Sequence, residues 1–167
     1  YNAFVTICLI FPDFELIISD NASTDGTEDI CRSYVAKDKR VKYFRNSKNI
    51  GATQNWYRVL DLSSSEYFAS AAHDDIYAPN FMAKCISVLD RDPSIVICYS
   101  KIHLIDRDGK LLEYGRISQS FDARIDTMSE SPSVRIYNVI GVDYLSIQLY
   151  GVMRADMLRK TKVFTGY

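Results

Sequence analysis

The sequence predicts an α/β fold, with a mostly parallel central sheet flanked by helices. Two observations carry that prediction. Short β-branched apolar runs alternate three times with segments of helical periodicity over the first hundred residues. Polar, acid-containing loops follow the runs, as at the carboxyl ends of strands in such sheets.

The elements follow in order. "FELIIS", Phe14 to Ser19, is short and apolar and ends at Asp20, as a buried strand would. "NASTDGT" is a loop by composition. In "TEDICRSYVAKD", Ile30, Cys31, Tyr34 and Val35 share a helical face, and Asp25 with Glu28 has capping-box spacing. "VKYFRN" predicts a second strand, and "NIGATQNWYRVLDLS" a helix with Trp56, Val59 and Leu60 on its apolar side. "EYFASAA" predicts a third strand that ends at His73, Asp74 and Asp75. Pro79 suits the first turn of a further helix, with Phe81, Cys85, Val88 and Leu89 as its buried stripe. "SIVICYS" predicts a fourth strand.

The second part changes character. "KIHLIDRDGKLLEY" predicts a hairpin turning at Asp108-Gly109. Residues 115–135 are polar and weakly periodic, which predicts a surface loop, and residues 144–164 return to strand and helix patterns. No repeat or linker divides the 167 residues, a length that suits one domain.

Composition narrows the function. The chain is 47% hydrophobic and 25% charged with a net charge of −1, so a nucleic-acid partner is not expected. Cys8, Cys31, Cys85 and Cys98 lack metal or disulfide spacing and read as small apolar residues of a reducing compartment. No apolar run approaches the roughly 20 residues that cross a bilayer, and "AFVTICLIF" lacks the basic region of a signal peptide.

The acids are the candidate chemistry. Adjacent carboxylates repel unless something positive or hydrogen-bonding satisfies them. Asp74-Asp75 would serve a divalent cation, which takes one or two carboxylates and completes its shell with phosphates. Equally, Asp75 would cap the helix near Pro79. Asp20 reads either as a turn cap or as a ligand contact, within a loop of short hydrogen-bonding side chains including Asn21 and Ser23. Asn49, Gly51 and Asn55 lie at a strand-to-helix turn, where glycine allows positive φ and asparagine satisfies backbone groups. His73 reads as a hydrogen-bond partner of the acids rather than a metal ligand. No Ser-His-Asp or Cys-His set is present, and neither G-x-x-x-x-G-K-[ST] nor G-x-G-x-x-G occurs.

Three stretches in order, "DFELIISDNASTDGTEDIC", "NIGATQNW" and "EYFASAAHDDIYAPNFM", resemble the family 2 glycosyltransferases, inverting enzymes of the GT-A (nucleotide-diphospho-sugar transferase) fold. The resemblance implies that Asp20 contacts the nucleotide base and that Asp74 and Asp75 form a DXD-like motif. In it Asp74 lies near the ribose, and Asp75 binds Mg²⁺ or Mn²⁺ on the diphosphate. His73 stands where many members have another acid. Tyr1-Asn2 resemble the end of a "P-x-Y-N" segment that lines the nucleotide pocket, with Asn21, Ser23, Asn49 and Asn55 as further nucleotide-binding residues. "GVMR", Gly151 to Arg154, resembles the strand beside the donor sugar.

By the same resemblance, a first strand precedes Tyr1, and the general base lies beyond Tyr167. Residues 1–100 would form the nucleotide-binding half, and 101–167 a truncated acceptor-side half of a single domain. The implied donor is a UDP-, GDP- or dTDP-sugar. The implied acceptor is a saccharide or glycolipid of a cell-surface polysaccharide pathway, met in the cytoplasm or peripherally at the inner membrane face. Two other readings stay open: a nucleotide-sugar-binding domain without catalysis, and a sugar nucleotidyltransferase. The latter would want a basic Gly-rich phosphate loop near its first strand, and none is visible.

Overall fold

The computed structural model describes residues 13–72, 75–112, 127–140 and 147–161. Strand β1 (Leu16–Asp20) leads through helix α1 (Thr27–Lys37) to β2 (Val41–Arg45), which pairs with β1 in parallel. Side chains alternate across this pair. One face presents Asp20, Tyr43 and Arg45 to α1, where the Arg32 guanidinium lies 5.5 Å from the Tyr43 ring centroid. The other face meets α2 (Ala52–Leu62), where Ser19 Oγ donates to Asn55 Oδ1 at 2.8 Å. Helices therefore cover both faces, as parallel strands require.

The second sheet is built from β3 (Tyr67–Ala69), β4 (Ile97–Cys98) and β5 (Val152–Arg154). Here the succession departs from a simple parallel run. β5, from far along the chain, lies between β3 and β4 and is antiparallel to both. Alternation again sorts the core. Phe68, Met153 and Ile97 pack with Trp56, Val59 and Leu60 of α2 and with Ala155 and Leu158 of α5 (Ala155–Arg159). On the other face, Val152, Tyr67, Ala69 and Cys98 pack under Phe81, Cys85 and Leu89 of α3 (Phe81–Arg91).

Helix α2 thus joins the two sheets: Asn55 engages Ser19 of β1, while its neighbour Trp56 meets Phe68 of β3, ring centroids 5.8 Å apart. Glu15 ties the opposite ends. It accepts from Lys42 Nζ at 2.6 Å and from the Ser64 N–H, in the turn before β3, at 2.9 Å.

The hairpin forms as the sequence predicts, with Ile105 bridged to Leu111 and the Gly109 N–H donating to the Asp106 carbonyl at 3.0 Å. Cys31 and Cys85 are buried and Cys98 is half-buried, while Cys8 lies outside the described residues. Burial, and then the adjacent Cys98, pushes the Cys85 thiol up to about 12. Among the described residues, no helix is long and apolar enough to cross a membrane.

Some expectations are corrected. Asp25 and Glu28 form no capping box: Gly26 is the N-cap, Asp25 Oδ1 accepts from Thr27 Oγ1 at 2.6 Å, and Glu28 pairs with Arg32 at 2.7 Å. Ile30 and Val35 are exposed, leaving Cys31 as the buried residue of α1. Pro79 lies in the turn before α3, which starts at Phe81. The predicted loop ends early, because Pro132 opens helix α4 (Pro132–Ile140). Proline costs nothing there, since a first-turn N–H has no helical partner anyway.

Candidate nucleotide and cation site

Asp20 is the buried centre of the first loop. Its side chain has no accessible surface. Oδ1 accepts from the Ser23 N–H at 2.8 Å, and Oδ2 accepts from the Tyr43 hydroxyl at 2.7 Å, with Arg45 Nε at 3.4 Å. Burial alone would raise this carboxyl. The hydrogen bonds from Ser23 and Tyr43 and the Arg45 charge outweigh it and hold the group below its usual range. Burial, and then the bond to Asp20, pushes the Tyr43 phenol up to about 12, so Tyr43 remains a neutral donor at any physiological pH. A ligand reaches the Asp20 oxygens only by displacing Tyr43 or Arg45. With those in place, it meets the backbone of the loop that Asp20 shapes.

The asparagines complete a closed network. Asn55 Nδ2 donates to the Ser19 carbonyl at 2.8 Å, and its Oδ1 accepts from Ser19 Oγ and from Asn46 Nδ2, each at 2.8 Å. Asn46 Nδ2 also reaches Asn21 Oδ1 at 3.0 Å, which accepts from the Ile50 N–H at 2.9 Å. Asn21 Nδ2 donates to Asn49 Oδ1 at 2.8 Å, and the Gly51 N–H donates to that same oxygen at 2.8 Å. Gly51 has φ +85°, a conformation that a Cβ would strain. Ala22, beside Asn21, also lies in the left-handed region at φ 64°. Such a non-glycine residue persists only where its surroundings fix it. Here the fixed points are the Asn21 bonds on one side and the Ser23–Asp20 bond on the other.

The second loop leaves β3 at Ser70. The Tyr77 hydroxyl turns back to donate to the Ser70 carbonyl at 3.2 Å, and the Tyr77 ring packs on Phe81 with centroids 5.4 Å apart. Burial first, then the Asp75 charge, pushes this phenol up to about 12. Asp75 itself is exposed on the loop. Among the described residues, no three His, Cys, Asp or Glu side chains group as a metal cage. An exposed carboxylate still suits a cation whose remaining ligands are phosphate oxygens and water.

The structure therefore brings Asp20, Asn21, Ser23, Asn49 and Asn55 into one network, with Asp75 on a separate loop. Tyr1, His73 and Asp74 lie outside the described residues. The α2 joint relates the two loops: Ser19 precedes Asp20 and touches Asn55, while Phe68 precedes the acidic loop and touches Trp56. Both loops thus leave strand ends that flank the first half of α2. A shallow depression on the outer face of α2, lined by Ile50, Gln54, Tyr57, Arg58, Asp61 and Leu62, contains none of the predicted site residues.

Sequence reasoning missed Tyr43, Arg45 and Asn46. The available signal was strand periodicity: Tyr43 and Arg45 are two residues apart, on the face that also bears Asp20.

Residues 3–144 match the sequence profile described as glycosyl transferase family 2. An uncharacterised glycosyltransferase of Methanocaldococcus jannaschii is 26% identical over 98 residues, covering 59% of this chain and 34% of the relative. An uncharacterised protein of Mycobacterium tuberculosis is 30% identical over 129 residues, covering 75% and 37%. An abequosyltransferase of Salmonella typhimurium is 36% identical over 92 residues, covering 53% and 27%. The chain spans about a third of the length of the curated relatives it matches.

Proposed function

Because this chain belongs to glycosyl transferase family 2, we propose that it is the donor-binding part of an inverting enzyme that moves a sugar from a nucleotide-sugar to an acceptor hydroxyl. The family's fold is GT-A, and the helix-covered α/β sheets agree with it. The observation that carries the functional reading is the α2 joint, which turns the Asp20 loop and the Asp75 loop toward the same end of the strands. Ligands of open α/β sheets bind at that end.

In this reading the nucleotide lies against residues 20–25, whose shape Asp20, Asn21, Ser23, Asn49 and Asn55 maintain. Tyr1 and Asp74 complete the nucleoside pocket. Asp75 would hold Mg²⁺ or Mn²⁺, whose charge would offset that of the diphosphate. When bound, such a cation supplies Lewis-acid stabilisation of the charge that gathers on the leaving group. The acceptor oxygen bonds to C1 of the sugar as the bond from C1 to the diphosphate oxygen breaks. That electron pair leaves with the nucleoside diphosphate, and the hydroxyl proton passes to a carboxylate base that is not among the residues assigned here. Residues 1–100 would make the nucleotide half, and 101–167 would face the acceptor.

For the wider role we propose a saccharide or glycolipid acceptor in cell-surface polysaccharide assembly, with the protein in the cytoplasm at the inner membrane face. The relative named an abequosyltransferase supports a sugar as the transferred group.

The test is calorimetric titration of UDP, GDP and dTDP, with and without Mn²⁺, against the wild type and Asp75→Ala. We expect one diphosphate to bind in a Mn²⁺-dependent way and the variant to lose that dependence. Binding that ignores Mn²⁺ would remove Asp75 from the site. If none of the three binds, the donor-site reading is wrong for this chain.

A further inference from the structure

Gln148 sits in the 3-10 helix Ile147–Tyr150, which delivers the chain to Gly151 and β5. Its backbone is held tightly: the Gly151 N–H donates to the Gln148 carbonyl at 3.0 Å. Its side-chain amide oxygen is different. Among the described residues, Gln148 Oε1 is the one buried side-chain nitrogen or oxygen without a hydrogen-bond partner. A buried acceptor has surrendered its water and gained nothing in exchange, so it is costly to keep. Native structures satisfy nearly all such atoms, and an exception needs a reason.

The sheet register supplies the location. Val152 stands opposite Ala69 of β3 and Cys98 of β4, and β5 is antiparallel to both. The start of β5 therefore lies at the carboxyl ends of its neighbours. The Gln148 turn accordingly borders the loop that begins at Ser70 and carries Asp75.

We infer that, when the donor binds, the half-buried Gln148 side chain turns its amide oxygen to accept a hydrogen bond from a hydroxyl of the donor's sugar, making Gln148 a specificity-determining residue. The inference rests on the donor-binding reading above. An amide oxygen can only accept. A phosphate oxygen, also an acceptor, is therefore no partner for it. Beside a loop that holds the diphosphate, the O–H groups nearest at hand in a nucleotide-sugar are those of the sugar attached to it.

Gln148→Met tests this, because it keeps the side-chain length and removes the acceptor. Two readouts are needed. In thermal melts of the free chain, the variant should melt about 2–4 °C higher, since an unsatisfied buried oxygen is gone. In calorimetry with Mn²⁺, UDP, GDP and dTDP are compared with UDP-glucose, GDP-mannose and dTDP-glucose. For the nucleotide that binds, the variant should leave diphosphate affinity within about twofold. It should weaken the matching nucleotide-sugar roughly threefold to tenfold, the share of one hydrogen bond. Gln148→Glu, which keeps an acceptor oxygen at the same reach, should retain most of the sugar's affinity. A melt that is unchanged or lower for Gln148→Met means that the oxygen already has a partner, and it overturns the inference. Equal weakening of diphosphate and nucleotide-sugar indicates a merely structural role and also overturns it. A diphosphate that binds while neither affinity changes sinks this inference and leaves the donor reading standing. Failure of all ligands on the wild type sinks both.

Discussion

Asp20→Asn is the sharpest probe of the first loop, since it preserves shape and removes one charge. In the wild type, Oδ1 takes the Ser23 N–H at 2.8 Å and Oδ2 takes the Tyr43 hydroxyl at 2.7 Å, with Arg45 Nε 3.4 Å away. An amide can keep the Ser23 bond through its oxygen. Its NH₂ then meets the Arg45 N–H donor against donor, and the Tyr43 hydroxyl must turn from donating to accepting, which leaves a neutral bond in place of a charge-assisted one. One charge-assisted hydrogen bond is lost, which contributes about 1.5–3 kcal/mol. Relief from burying the carboxylate offsets part of that. Arg45 is half-exposed, so its Coulomb share is small. The net loss should be about 1–2 kcal/mol at neutral pH, or about 2–8 °C in melting temperature for a chain of this size. Urea unfolding followed by Trp56, the single tryptophan, measures it directly. The pH dependence fixes the cause. The folded Asp20 carboxyl lies below its unfolded value, so its contribution is fully present above the unfolded pKa and is lost as pH falls through the folded one. The gap between wild type and variant should hold from pH 7 down to about 4 and close below that. A gap that is absent at pH 7, or equally wide at the lowest pH at which both still fold, would refute the account.

Further predictions concern how the second sheet is held. A Cβ at Gly151 would come within 2.7 Å of the Cys98 carbonyl oxygen and 3.0 Å of Tyr99 Cβ. Gly151→Ala should therefore cost about 1–3 kcal/mol by overpacking, and an unchanged melting temperature would show slack between β4 and β5. Arg154 donates to the Leu89 carbonyl at the end of α3 and to the Ile95 carbonyl beyond it. Arg154→Met should strip those acceptors at a cost of about 1–3 kcal/mol. Amide hydrogen exchange should then speed up in the last turn of α3 before it does in β1 and β2.

What the sequence made legible is what periodicity encodes. The run from Leu16 to Ser19, the Trp56–Val59–Leu60 stripe and the Phe81–Cys85–Leu89 stripe all fold where their spacing places them. What stayed hidden depends on partners distant in the chain. Three residues, Val152 to Arg154, cannot reveal that they will enter between β3 and β4 and reverse the pairing. Glu28 has capping-box spacing, but Arg32 and Arg45 compete for it and win. The polar character of the site loops was readable, as was Gly51's need for positive φ. Their mutual bonding was not, because the linking residue, Asn46, is one buried amide with no pattern around it.

The arrangement of the candidate site follows from two adjacent residues with opposite preferences. Asn55 is polar and finds the backbone and hydroxyl of Ser19, while Trp56 is apolar and finds Phe68. Their side chains diverge by about 100° around the helix, so one turn of α2 fastens two separate sheets. Glu15 fastens the same sheets at the far end through Ser64. With both ends tied, the strand ends that lead into the two acidic loops cannot drift apart without breaking these contacts. For the proposed donor, strand ends already held together leave less binding energy to be consumed in assembling the site.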